Sequence, residues 1–528
     1  MRHGKQLKIN ANIGLILGYI YVLLPIALFF IGWCKWYVWV PGVAVIGYSL
    51  FGMFRESKCY DKLTWNRDTI IRWVFIVAII VCWVALSGVG RLVFQNTDHE
   101  VRNGIFELLV NRPWPVIDNI DYGGTSVPRA HIYYIGFWLP AALFGKLFGV
   151  QAGYYFQVFW ASLGIALMYY LVCMIRKKTD VWPLVLFIFF SGLDTIGCRL
   201  VGITDSLWNN VSIEWWSEFF QYSSNTTQLF WVFNQSVPAW ITCMLLYVQK
   251  NNRYLILLAS TMVLSSTFPL VGVVAFVLVF MFENAYRDKG NKKYVAALCR
   301  SVLTIPNIVG GGVIGIVTTL YMMEADVIKG MLPQFLQKVE GIFQETVYAS
   351  SFELTQNLSP NTDGDQRGYI MIMLVFLFLE AWIFCIAIYK YQKSKPVFWA
   401  MVIMLSVCPL FKVGAHSDFC MRVSIPALQM LYLLMVDTLD QSKKVKDYIT
   451  IAALSVLIVI GAYTPLHEMQ RTITLTKVCY SSGLSFDVEN CSDGYLFVGS
   501  YVSGAAEGNV FFDYLADKKQ GNTGEAQQ

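Results

Sequence analysis

Long apolar blocks alternate with short charged intervals along most of this chain. An α-helix needs about 20 apolar residues to cross a bilayer, and many of the blocks approach that length. They predict spans over Ile13–Gly32, Tyr37–Phe54, Trp73–Phe94, Tyr154–Ile175, Trp182–Gly197, Val302–Met323, Tyr369–Tyr389, Phe398–Phe411, Val423–Met435 and Ile449–Tyr463. Phe230–Val248 is interrupted by Asn234 and Pro238, and Tyr254–Phe282 holds Pro269 after "SSTF". The second of these is too long for one ordinary span, so it predicts two short helices meeting near the proline inside a bundle.

Basic residues at span ends set the orientation. Arg2, Lys5 and Lys8 place the N-terminus in the cytoplasm, and Arg55, Lys58, Lys62, Arg67 and Arg72 mark the next cytoplasmic segment. Arg176, Lys177 and Lys178 fall on the same side only if one intervening run does not cross. Ile132–Val150 carries Pro140, Gly145 and Lys146 and reads as a helix lying in the outer interface. The count then becomes about thirteen crossings of roughly 20 residues or fewer each, with the C-terminus outside. Three long outer loops result, 95–131, 198–235 and 324–367. The chain divides into an N-terminal hairpin (1–71), a core (72–464) and an extracytoplasmic tail (465–528).

Composition agrees. Of 528 residues, 56% are hydrophobic and 14% charged, and the mean hydropathy is +0.51. Soluble domains carry roughly 25% charged residues. The fold class expected is an all-α polytopic membrane protein, because a β-barrel would show weak alternation instead of solid blocks. The net charge of +5 is what loop orientation requires and does not imply nucleic acid. Twelve cysteines without a CxxC pair argue against a zinc site. No cofactor is expected; a divalent metal is compatible with the chain, but no motif supports one. Cys479 and Cys491 could form a disulfide in the outer tail, where "GYLFVGSYVSG" alternates like a strand.

The polar stretch "QNTDHEVRNG" directly follows an apolar run. After it come the amphipathic "VRNGIFELLVNRPWPVIDNIDYGG", the interfacial "HIYYIGFWLPAALFGKLFG" and a span ending in "RKK". The late segment "GAHSDFCMRVSIPAL" places an arginine before a proline-bearing helix. This layout resembles the GT-C superfamily of membrane glycosyltransferases, in its bacterial multipass branch, over most of residues 73–463. The resemblance implies a GT-C-like bundle in a bacterial cell membrane with a catalytic Asp or Glu near the start of the first outer loop. It also implies a polyprenyl-phosphate-linked sugar donor, inverting transfer on the outer face, and a glycan, lipid or protein acceptor.

Such a reaction needs a carboxylate base, a cation for the departing phosphate and an apolar groove for the prenyl tail. Asp98 is the first candidate base and Glu100 the second. Asp98 could equally cap a helix or pair with Arg102 four residues on. Arg422 is the candidate phosphate ligand, with Lys412, His416 and Asp418 beside it; an Asp418–Arg422 surface pair is the plainer alternative. Asp118 and Asp121 could bind sugar or solvate a turn. Arg129 could meet a lipid phosphate or snorkel. Asp194 and Glu380 are carboxylates within apolar runs, where an ionisable group is costly and marks function or a buried ion pair. An arginine, Arg199 or a later one, is the expected partner of Asp194. A transporter or flippase of lipid-linked oligosaccharide, or a polymerase, is the rival reading. No internal repeat supports the first rival, and the outer loops are not arginine-rich as a polymerase would require.

Overall fold

Asn12 opens the first helix by accepting from the Leu15 N–H, and a long apolar sequence carries it from Ile13 to Trp33 (α1). A computed structural model of the chain describes residues 12–122, 125–203, 212–288, 294–325, 366–411, 417–482 and 503–518. α2 (Trp36–Glu56) returns against α1, and α1 also packs on later helices of the core. Asn66 caps α3 (Arg67–Leu86) through the Thr69 N–H. The apolar pattern continues to Phe94, yet α3 stops at Leu86. Gly88, Gly90 and Arg91 all take positive φ there, 89°, 81° and 60°, which a right-handed helix cannot contain. A Cβ on Gly90 would lie 2.3 Å from Val158. Asp98 is therefore not an extension of that span; it begins a separate helix, α4 (Asp98–Asn111).

β1 (Ile117–Tyr122) and β2 (Thr125–His131) follow as an antiparallel hairpin, so the amphipathic stretch is helical only as far as Asn111. α5 (Leu139–Phe148) has 10 residues and spans about 15 Å, too short to cross. Gly149, at φ 93°, turns the chain into α6 (Val150–Arg176), which lies against α5.

The run at 182–197 is not one helix. It breaks into α7 (Trp182–Ile188) and α8 (Asp194–Leu200). α9 (Asn225–Val248) starts earlier than expected, with Ser224 as its cap, and is buried along nearly its whole length. The Pro269 run gives a short α10 (Leu255–Ser260), turns, and then α11 (Thr267–Asp288). The break falls just before Thr267, which lets Pro269 sit in the first turn of α11, where a missing N–H costs nothing. α12 (Tyr294–Val302) precedes a π-turn at Pro306–Gly311 and α13 (Gly312–Met323). α14 (Gln366–Leu377) and α15 (Ile383–Gln392) are joined by a π-turn at Phe378–Trp382.

α16 (Pro396–Val407), α17 (Asp418–Val423), α18 (Ile425–Val445), α19 (Tyr448–Gly461) and α20 (Tyr463–Ser482) complete the helices. The chain after His467 thus stays helical to Ser482, where a loop-like tail was expected. β3 (Ser503–Ala505) then adds to β2 as a third strand. Ser503 and Gly504 are the end of the alternating stretch, the rest of which lies outside the described residues.

Among the described residues nine helices are long and apolar enough to cross a membrane, and the chain is an all-α polytopic membrane protein with one small sheet. One end of the bundle is dense in basic residues. There Arg176 binds Asp440 (2.7 Å) and Asp180 (2.9 Å), Arg253 binds Glu56 and Lys390 binds Asp447. The opposite end, called the loop end below, carries α4, the sheet, α5, α8 and α17.

Candidate functional site

The polar stretch after α3 has two jobs. α9 leaves helical geometry at Val232 (φ −136°, ψ 36°), which opens its hydrogen-bond ladder. The Phe230 carbonyl there accepts from Asn96 Nδ2 at 2.8 Å and from His99 Nε2 at 2.9 Å. His99 Nδ1 in turn accepts from Gln95 Nε2. That pattern needs a neutral imidazole with its proton on Nε2. Burial, reinforced by the neighbouring Arg102 charge, lowers the His99 pKa to about 3. His99 is thus a structural group that seats α4 on α9.

The other job belongs to Asp98 and Arg102. One turn apart on α4, they form an ion pair of 2.9 Å. Arg102 is nearly enclosed, its side chain 7% exposed, and its guanidinium lies over the Phe233 ring beyond the α9 break. Only Nη2 is engaged by Asp98; Nε and Nη1 are buried without a hydrogen-bond partner.

α17 repeats this construction. Asp418 opens the helix, Arg422 follows one turn later at 3.0 Å, and the Arg422 guanidinium lies over Phe268 at the start of α11. Its Nε is also buried without a partner.

The two turns converge on Tyr133. Burial pushes its phenol up, Arg102 and Arg422 pull it down, and Asp98 and Asp418 oppose them. All four charges therefore act on one hydroxyl. The Tyr133 N–H donates to the Tyr321 hydroxyl of α13, and its ring stacks on Trp138. Tyr134 shares a hydrogen bond with Thr267, next to Phe268. Two guanidinium groups and two carboxylates thus lie within electrostatic reach of one phenol, a grouping whose donors suit an oxyanion. Planar arginine donors match phosphate oxygens, and buried donors without partners are costly unless a ligand or water meets them.

The sequence singled out Asp98, Asp418 and Arg422 but treated Arg102 only as a pairing partner and missed Tyr133. The signal was present: "DHEVR" and "DFCMR" share one spacing. Glu100 is half-buried on α4. Lys412 and His416 lie outside the described residues.

Asp118 and Arg129 sit opposite each other in the hairpin, away from any turn, and Asp118 also pairs with Arg112 at 3.4 Å. Asp121 is in register with Ser126, and its side chain lies outside the described residues. So do the side chains of Cys479 and Cys491 and almost all of the expected loop 324–367. Asp194 is buried, but its partners are not arginines. It accepts from Ser191 and Thr464, and it lies close enough to the buried Glu380 for their charges to repel. Among the described residues no three His, Cys, Asp or Glu side chains are arranged to hold a metal ion.

Comparison with family models, with curated proteins and with solved structures gives no match in any of the three.

Proposed function

We propose that the chain is a membrane glycosyltransferase, a GT-C-like bundle of about thirteen crossings of the bilayer-spanning kind. In this reading the basic end is cytoplasmic and the loop end extracytoplasmic. The sugar donor is linked to a polyprenyl phosphate, and the acceptor is an envelope glycan, lipid or protein. The supporting observation is the convergence of two Asp–Arg turns on Tyr133 at the loop end. The acceptor hydroxyl attacks the anomeric carbon and Asp98 takes its proton. The bond from that carbon to the phosphate oxygen breaks, and the electron pair leaves with the polyprenyl phosphate. Arg102 and Arg422 stabilise the charge that develops on the departing oxygens. Asp98 is preferred to Glu100 because it acts on the same phenol as Arg422.

Purified protein should release polyprenyl phosphate from a labelled donor, and Asp98→Asn should abolish release without loss of folding. Full turnover by Asp98→Asn would remove Asp98 from the mechanism. A second reading, a carrier of lipid-linked oligosaccharide, draws on the buried carboxylates Asp194 and Glu380. It expects labelled lipid to cross a vesicle membrane intact.

A further inference from the structure

Three carboxylates from distant parts of the chain are buried together beside the loop-end site: Asp194 on α8, Glu214 in the Ile213–Trp215 turn and Glu380 in the π-turn. Among the described residues none pairs with a lysine or arginine. Glu380 Oε1 accepts from Trp216 Nε1 at 3.2 Å. Glu214 accepts from Gln221 Nε2 and the Ser224 N–H, both at 2.9 Å. Asp194 uses Ser191 and Thr464, at 2.9 and 2.8 Å. Three negative charges without a cation are not tolerated in a low-dielectric interior. Asp194 and Glu380 repel each other as anions, and Glu380 Oε2 is buried without a hydrogen-bond partner, so one proton held between the two carboxyl groups would relieve both.

The chain makes room for this contact. A Cβ on Gly192 would lie 1.5 Å from Glu380 Oε2, so any other residue would expel the carboxyl. Glu380 is presented by a π-turn, a local departure from helix that often accompanies function.

A polar link joins the cluster to the candidate site. Gln221 donates to Glu214 and accepts from Ser417 Oγ at 3.1 Å. Ser417 directly precedes Asp418, the partner of Arg422.

We propose that Asp194 and Glu380 form a site for one proton, and that an oxyanion bound at Arg422 is taken up together with it. The proton site stands on the cluster alone, whereas the coupling rests on the phosphate reading of Arg422. An anion adds negative charge at the far end of the Glu214–Gln221–Ser417 link. Holding the proton at Asp194–Glu380 offsets that charge, and linkage makes the effect reciprocal. Other titratable groups on the surrounding segments are Cys198, which donates to the Ile213 carbonyl, and Tyr222, Cys385, Cys408 and Cys420. α8 adds Arg199, which is exposed, and α20 adds Tyr463, His467 and Glu468, the last held by Arg471. Arg367 on α14 has its side chain outside the described residues.

The test uses full-length protein in nanodiscs and farnesyl methyl phosphate, a diester whose charge does not change near neutrality. Infrared difference spectra between acid and alkaline buffer should show a carboxylic-acid band that Glu380→Gln and Asp194→Asn each remove while thermal unfolding stays cooperative. At a pH above the cluster's midpoint, calorimetry in buffers of different ionisation enthalpy should show uptake of close to one proton per diester bound, lost in both variants. Wild-type affinity should fall about tenfold per pH unit above the cluster's midpoint. Absence of a band sensitive to either substitution overturns the proton site. Binding without proton uptake overturns the coupling and leaves the phosphate reading standing. A band with no diester binding sinks the phosphate reading, and the coupling with it, while the proton site survives.

Discussion

Arg102 of α4 and Arg422 of α17 act on the same Tyr133 hydroxyl, although most of the chain lies between them. Each is held by the aspartate one turn before it and rests over a phenylalanine from a different core helix. The aspartates fix the direction of each guanidinium and leave Nε and Nη1 of Arg102 and Nε of Arg422 buried without a hydrogen-bond partner.

Arg102→Lys keeps the charge but loses the planar donors. Transfer should fall by about 10- to 100-fold in kcat/KM, as expected when roughly 1–3 kcal/mol of charge-assisted hydrogen bonding is lost. Release of polyprenyl phosphate is the measurement. Unchanged kcat/KM would exclude Arg102 from phosphate stabilisation.

Asp440→Asn tests the basic end. Arg176 is 4% exposed and grips Asp440 through two nitrogens. Removing that charge leaves a buried guanidinium with Asp180 alone. A loss of about 2–4 kcal/mol is expected, visible as a lower unfolding midpoint with no change in site chemistry.

Two buried histidines make stability depend on pH. Burial lowers the pKa of His99 to about 3 and of His131 to about 4, from 6.5. Between those values and 6.5 the unfolded chain binds more protons than the folded one. Their contribution is therefore complete above pH 6.5 and is lost as pH falls, at up to about 1.4 kcal/mol per unit for each group. Unfolding midpoints measured from neutral to acid should drop, and His99→Gln should flatten the curve. An equal slope in that variant would exclude His99 as a source.

Gly504 faces Ala130 across the β2–β3 ladder, and a Cβ there would lie 2.4 Å from both the Glu324 carbonyl and Ile132 Cδ1. Gly504→Val should weaken the third strand by about 1–3 kcal/mol. Hydrogen exchange at Ala130 and Ala506, whose amides face across the β2–β3 ladder, should then accelerate about 10- to 100-fold. Unchanged exchange would mean that β3 does not secure β2.

Several elements could be read before the structure. The continuous apolarity of α1 and α6 marked them as spans, and Pro140, Gly145 and Lys146, with the side on which Arg176, Lys177 and Lys178 must fall, marked the run that holds α5 as one that does not cross. The breaks were less legible. α3 ends at Leu86 because Gly88 and Gly90 turn the backbone while the side chains around them remain apolar, and a hydropathy pattern registers side chains alone. The hairpin escaped notice because β1 and β2 are polar strands at the loop end, without the alternation of a half-buried sheet.

The sequence by itself determined that this chain lives in a bilayer, because transfer of an apolar run from water depends on the run's own length and composition. It also placed polar chemistry at the start of the first large loop, since charge density there is local. Only the tertiary structure decided which charges meet. Arg102, Tyr133 and Arg422, like Asp194, Glu214 and Glu380, belong to separate segments. Their proximity arises from how kinked and broken helices pack, and no local pattern encodes such a distance.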